Sequence, residues 1–364
     1  MATILSIGKA IPEFEMSQNM AVDFAKEIFS DSFKDIDRLL TVFKNGQIEK
    51  RQFAEQLAWY QTEHSFEEKN NLYIEKAVKY GIEAVENCLT NKNLLNQDIK
   101  YDDIDAIFFI SSTGFSTPSI DAKIMNHLPF KKTTKRIPIW GLGCAGGASG
   151  LSRAYEYCKA FPKSTVLVIS VELCSLTFQH NDHSKSNLIG TSLFADGVAC
   201  TCVVGQSVEW KKKSKLSTLP EIIGTRSTFM KHSEDVMGWD IKNNGLYVVF
   251  SRNIPSIIKK WLKPQMMEFL DEHKLKLNNI NHFIAHPGGK KVIDAYIDGL
   301  GFTEGQLDIS KEVLRNHGNM SSVTVMYVLE KYLEREIGKK SDLGVIGALG
   351  PGFSSELLLV TWKG

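Results

Sequence analysis

The chain has 364 residues, enough for one large or two medium domains. Apolar residues make up 43% and charged residues 23%, and 43 basic against 42 acidic residues leave a net charge of +1, which excludes the basic excess of an electrostatic nucleic-acid binder. No window offers the roughly 18 apolar residues of a spanning helix, and the opening MATILSIGKAIPEF lacks the basic leader and long apolar run of a signal peptide, so a cytoplasmic protein with no integral membrane segment is expected.

The elements follow in chain order. Thr3 to Ile7 reads as a strand, and helical spacing of apolar residues runs from about Ser17 to Leu89. AIFFISSTG (Ala106 to Gly114) reads as a buried strand feeding a loop, SIDAKIMNHL as a helix, and RIPIWGLG, STVLVISVEL and GVACTCVVG as further buried strands. The basic clusters Lys131 to Arg136 and Lys211 to Lys215 read as solvated loops, the second joining two halves. Beyond it come a strand at Leu246 to Phe250, a helix at Pro255 to His273 and a strand in NHFIAHPGG. Helices at Lys290 to Leu300 and Ser321 to Ile337 follow, then strands LGVIGALG and SSELLLVTW. Buried strands alternating with helices predict an α/β fold with covered sheets. Each half places a glycine-rich turn after a buried strand, which suggests a duplicated core divided into residues 1–210 and 211–364.

Six scattered cysteines form no CxxC pair and read as free thiols, with Cys200 and Cys202 on one face of a strand. No metal site is expected: His282 and His286 are four apart on a strand, roughly 13 Å, too far to share an ion.

Cys144 differs from the other thiols. It lies among five glycines in PIWGLGCAGGASGLSRAYEYC, between a strand and a helix. A cysteine at a helix N-terminus meets unpaired N–H groups and the positive end of the dipole, which lowers its pKa and favours the nucleophilic thiolate. His286 closes the strand FIAH before Pro287 and two glycines, at the strand end where α/β proteins carry their sites. Asn319, in NHGNMSS, precedes a long apolar helix that Ser321 or Ser322 could cap equally well, leaving its amide free. His317 competes with His286, but its loop setting beside Arg315 reads as surface. Together Cys144, His286 and Asn319 supply a nucleophile, an imidazole to take its proton and an amide donor for an oxyanion. A papain-like protease uses the same residue types, but its C-G-[SA]-C-[WY] signature is absent.

The motifs GCAGG, SLFADGVA, AHPGG, NHGNMSS and GALGPGFSSELLLV come in one order and spacing. In these the chain resembles the type III polyketide synthases, the chalcone synthase superfamily, from about Ile4 to the C-terminus. STGFSTPSI, KRIPIWGLGCAGGASGLSRA and ELCSLTFQ are most similar to the Bacillus-type alkylpyrone synthases. The resemblance implies a thiolase-like five-layer αβαβα fold with two related halves. It implies an acyltransferase that loads an acyl-CoA on Cys144 and extends it by decarboxylative condensation with malonyl-CoA. His286 and Asn319 would stabilise the enolate. A medium- or long-chain fatty acyl starter and triketide or tetraketide pyrones, or resorcinols, are expected, with no cofactor beyond the CoA substrates.

By the same resemblance Phe194 is the gatekeeper between CoA tunnel and cavity. Val248 takes the place of a second family phenylalanine, which speaks against an aromatic starter. Thr177 lines the cavity where tetrahydroxynaphthalene synthases carry a cysteine in that segment, and Ser321 and the loop Gly350, Pro351 and Gly352 shape it. Thr117 matches the position that plant enzymes send across a homodimer interface, and Arg38 and Lys44 lie in the stretch that holds the CoA phosphates. The enzymatic rival is a β-ketoacyl-ACP synthase III, with one condensation on malonyl-ACP. A hydroxymethylglutaryl-CoA synthase and a non-catalytic thiolase-fold binding protein are weaker alternatives.

Overall fold

The computed structural model describes residues 1–251 and 253–364. Thirteen strands are present among the described residues. They are β1 (Ala2–Ala10), β2 (Phe14–Ser17), β3 (Lys50–Phe53), β4 (Ile104–Ile110), β5 (Lys135–Ile139), β6 (Thr165–Leu173), β7 (Asp196–Gly205), β8 (Leu219–Phe229), β9 (Met237–Lys242), β10 (Gly245–Phe250), β11 (His282–Ala285), β12 (Leu343–Gly350) and β13 (Ser354–Lys363). Nine form one sheet in the order β11-β12-β13-β8-β1-β7-β6-β4-β5.

The duplication is visible in the pairing. Outward from the centre, β1 pairs antiparallel with β7, β7 antiparallel with β6, and β6 parallel with β4. In the other direction β8 pairs antiparallel with β13, β13 antiparallel with β12, and β12 parallel with β11. The half-sheets meet where Ala2 and Thr3 face Ile222 and Glu221. Strands β6 and β7 are buried at every position, which is why their sequences are continuous apolar runs.

Two helices lie between the half-sheets. Gly146–Ala160 packs on β4, β6 and β7 on one side and on β12 and β13 on the other, and Thr324–Glu334 likewise touches β1, β7, β11 and β12. The glycines of the Cys144 turn make this crossing possible: a side-chain carbon on Gly147 would meet the Ser322 carbonyl oxygen at 2.1 Å. Phe66–Leu89, started by a Ser65–Glu68 capping box, covers the outer face of the first half-sheet. The outer face of the second is closed by Ile254–Glu272 and Lys290–Leu300, with Met266, Phe269 and Tyr296 in one apolar cluster with Phe283, Leu357 and Leu359. These are the five layers of the expected fold.

Leu246–Phe250 is a strand as expected, within β10, and pairs with β9 in a separate two-stranded hairpin outside the large sheet. Several local expectations are corrected. Strand β5 is an exposed edge, not a buried strand, as Lys135, Arg136 and Pro138 fit. The helical pattern between Ser17 and Leu89 is interrupted by β3, which pairs with β2 in a separate two-stranded sheet. The second lysine cluster begins as a helical turn, Trp210–Lys213, anchored by buried Trp210. A further helix, Asp308–His317, precedes Asn319.

Candidate active site

Cys144 sits in a 3-10 turn, Gly143–Ala145, at the end of the connection from β5. The turn needs glycine twice. Gly143 has φ +44° and faces Pro351, and a side chain on Gly350 would strike the Leu142 carbonyl and Ala145. The Gly350–Gly352 loop after β12 therefore packs directly on the cysteine turn.

The expected lowering of the thiol pKa is not found. The helix begins two residues after Cys144, and burial pushes the thiol up to about 12, outweighing hydrogen bonding from the Ser321 and Asn319 side chains. His286 follows β11 and is 2% exposed. Its backbone is fixed by Gly347, whose carbonyl accepts its N–H at 2.8 Å, while neither ring nitrogen has a partner. Burial pushes the imidazole down to about 3, so it is neutral. A buried polar atom left without a partner costs about 1–3 kcal/mol, so the His286 ring gains from any group that hydrogen-bonds it.

Asn319 is 2% exposed and its amide orientation is determined. Oδ1 accepts the Ser321 N–H at 2.9 Å, and Nδ2 donates to the Gly288 carbonyl at 3.0 Å, two residues from His286. Ser321 adopts φ +50° to close this turn. Gly288 also joins the two groups from the histidine side: a side-chain carbon there would lie 3.5 Å from His286 Nε2. The structure thus brings Cys144, His286, Asn319 and Ser321 together.

His317 is not at the surface. It ends the helix Asp308–His317, half-buried, with Nδ1 3.1 Å from Gln52 Oε1 and its ring edge-on to Tyr327. Burial, aided by Lys9 and other lysines, pushes it down to about 4.

Phe194 follows the helix Lys185–Leu193, and its backbone bridges to Asn319. Its ring stacks on Phe250 at 5.5 Å and leans on Trp239 at 5.6 Å. Phe194, Thr177 and Val248 line one narrow cavity with about 550 Å³ of atom-free space, mouth included, and with Met16, Phe24 and Phe178 making much of the wall apolar. Thr117 is elsewhere: it lines an open crevice with Phe115 and half-exposed Trp140 against β5, so it is no wall of this cavity. Lys44 lines another open crevice, with Gln18 and Arg315, while Arg38, on the same helix Ile36–Asn45, is exposed and paired with Asp35.

Three features escaped the sequence reading. Glu172, fully buried at the end of β6, accepts hydrogen bonds from the Ser112 N–H and hydroxyl at 3.0 Å and from Ser322, and burial raises its pKa. Its signal was a lone carboxylate in the apolar run VLVISVEL. Cys174, also buried, shares the cavity wall with Thr177, three residues on. Buried Arg51 and Asp196 flank the Phe194 turn; a charge inside each of KRQF and SLFADG was the clue.

Comparison with known proteins places the site in context. Chalcone and stilbene synthases match over residues 1–207 for their N-terminal domain and 221–362 for their C-terminal domain. A chalcone synthase homologue of Bacillus subtilis (strain 168) is 55% identical over 100% of this chain and 99% of its own. A 1,3,6,8-tetrahydroxynaphthalene synthase of Streptomyces peucetius is 31% identical over 99% and 93%. An α-pyrone-synthesis polyketide synthase-like protein of Mycobacterium tuberculosis is 27% identical over 99% and 91%. The crystal structure of the tetrahydroxynaphthalene synthase of Streptomyces coelicolor, a bacterial type III polyketide synthase, superposes with a TM-score of 0.91, covering 100% of this chain and 99% of that one at 24% identity.

Proposed function

This chain belongs to the chalcone and stilbene synthases and is a type III polyketide synthase, an acyltransferase of thiolase-like fold, and from that premise we propose that it extends fatty acyl-CoA starters with malonyl-CoA to alkylpyrones. The observation that carries the reading is a half-buried Cys144 thiol and a buried His286 with unpartnered ring nitrogens, joined through the oriented Asn319 side chain, which hydrogen-bonds the thiol and the Gly288 carbonyl.

Cys144 Sγ attacks the acyl-CoA carbonyl as its proton passes to His286. CoA leaves as the thiol, taking that proton, and the acyl group stays as a Cys144 thioester. Malonyl-CoA then loses CO₂. The electron pair becomes an enolate whose oxygen meets the His286 ring and Asn319 Nδ2, donors held in place before the charge appears. The enolate carbon attacks the Cys144 thioester and expels the Cys144 thiolate, so the chain, longer by two carbons, stands on CoA; transfer back to Cys144 with loss of CoA reloads it. An enol oxygen closing on the thioester carbonyl expels the thiol and releases the pyrone. The resorcinol alternative closes through carbon instead.

The mostly apolar wall beside Phe194, with Met16 and Val248 in it, supports an alkyl starter. CoA phosphates are assigned to the crevice at Lys44, with Arg38 on the same helix. The open edge of β5, with Thr117 and Trp140 beside it, is assigned to a homodimer. Among the described residues no helix is long and apolar enough to cross a membrane.

The test is mass spectrometry of products from malonyl-CoA with a ladder of acyl-CoA starters, beside Cys144→Ala. Pyrones from fatty starters, absent in the variant, support the reading. A single condensation on malonyl-ACP with no malonyl-CoA extension replaces it with the synthase III alternative.

A further inference from the structure

Arg51, on β3, has no exposed surface. Its Nη1 donates to the carbonyls of Thr191 at 2.7 Å and Phe194 at 2.8 Å. These belong to the C-terminal end of the helix Lys185–Leu193, where carbonyls lack intrahelical partners and the dipole favours a cation. Asn319 holds the opposite side of the same segment. Its N–H donates to Leu193 at 2.9 Å, and its carbonyl accepts from Ala195 at 3.0 Å. Leu193, Phe194 and Ala195 are therefore clamped between Arg51 and Asn319.

The Arg51 charge is balanced by Asp196, whose carboxylate is fixed by the Ala54 N–H at 2.6 Å and the Ser175 N–H at 2.7 Å. The turn leading into Asn319 rests on the Arg51 stem. A side-chain carbon on Gly318 would lie 2.7 Å from Arg51 Cγ, and the glycine has φ +68°. Arg51 Nε and Nη2 have no partner, and Arg51 contributes to the cavity wall.

We propose that Arg51 is a positioning residue that sets both the Phe194 ring and the Asn319 amide through the segment they share. The proposal rests on the enolate role assigned to Asn319. Lysine at 51 keeps the charge but lacks the rigid fork of the guanidinium, and methionine removes both.

The experiment uses the full-length enzyme with Arg51→Lys, Arg51→Met, Asn319→Ala and the Arg51→Lys/Asn319→Ala double variant. Active sites are counted by iodoacetamide capture at Cys144. Starter loading is read by intact mass, and malonyl-CoA decarboxylation by kcat and KM per active site. The expected result is a tenfold or greater fall in decarboxylation kcat for Arg51→Met. Its KM should stay within twofold and starter loading should be unchanged. Arg51→Lys should be intermediate and add nothing to the loss in the Asn319→Ala background, because the two act through one element. Equal losses in loading and decarboxylation, or a full additional loss in the double variant, would overturn the proposal. So would a defect confined to starters that carry an extra oxygen, since that would make Arg51 a ligand contact. If Arg51→Met does not fold, Arg51→Lys and the double variant decide. A wild-type enzyme that decarboxylates no malonyl-CoA overturns the functional reading itself, before any variant is compared.

Discussion

Asn319 accepts the Ser321 N–H through its side-chain oxygen at 2.9 Å, so its Nδ2 group faces Gly288 and the His286 side of the site. The amide is a donor there because a backbone two residues away fixes it. Asn319→Ala removes one oriented oxyanion donor, a loss of about 10²–10³ in kcat by analogy with such donors elsewhere. Malonyl-CoA decarboxylation should fall by that factor, with acyl loading on Cys144 retained. Asn319→Asp should do no better, since a carboxylate repels the developing negative charge. Steady-state decarboxylation rates check this, and an Asn319→Asp enzyme near wild-type activity would refute it.

Cys144 and His286 are each driven towards the neutral form by burial. Moving the proton from thiol to imidazole changes no net proton count, and the two charges created attract one another in the same low-dielectric site. Thiolate formation in the wild-type enzyme should therefore vary little between pH 6.5 and pH 8.5. In His286→Gln the thiol has no internal acceptor and stands alone with its raised pKa. Iodoacetamide capture at Cys144 should then be at least tenfold slower at pH 7 and climb with pH across that range. Parallel pH profiles for the two proteins would show that His286 does not take the proton.

The depressed His286 pKa also fixes a sign for stability. Below its ordinary value of 6.5 the unfolded chain takes up a proton that the folded chain refuses until about pH 3. Each pH unit in that window therefore costs the folded state about 1.4 kcal/mol. Asp196, raised to about 7 by burial, and Glu172, also raised, work in the opposite direction, because the folded state holds their protons more tightly. The net curve mixes these terms, but the difference between wild type and His286→Gln isolates the histidine. Denaturant titrations at pH 7.5 and pH 5.5 should show the wild type losing about 1.4 kcal/mol relative to the variant. An unchanged difference would mean that His286 titrates normally in the fold.

Much of this was legible in the sequence because strands buried on both faces are predominantly apolar, as β6 and β7 are apart from a few polar positions such as Glu172 and Asp196. Glycine clusters mark close backbone approach, and the Cys144 turn announced itself in that way. The readings that failed depended on partners that a linear pattern does not carry. His317 sits among polar neighbours in sequence, yet the fold brings Gln52 and Tyr327 onto it. The helix-dipole argument for Cys144 counted the attraction and left out the desolvation, which raises the thiol pKa. Arg51 lies about 140 residues from the carbonyls it holds, so no local spacing could reveal it.

Gly190, in the middle of the helix Lys185–Leu193, tests whether the proposed acyl starter runs along the Phe194 cavity. A side-chain carbon there would stand 3.4 Å from Phe194 Cδ2 and 3.4 Å from Val248 Cγ1, inside the cavity wall that both residues form. Alanine fits with small adjustments, and its better helix propensity offsets the crowding by about 1 kcal/mol. Valine adds two further methyl groups and must displace the Phe194 ring or occupy the cavity. Gly190→Ala should therefore keep activity and stability while its preferred acyl-CoA becomes shorter, and Gly190→Val should shift the preference further and lower kcat/KM for the longest starters by at least tenfold. Product profiles across an acyl-CoA ladder read the effect directly. If both variants keep the wild-type chain-length preference, the starter's alkyl chain does not run through this cavity, and the site of chain-length control lies on another side of Phe194.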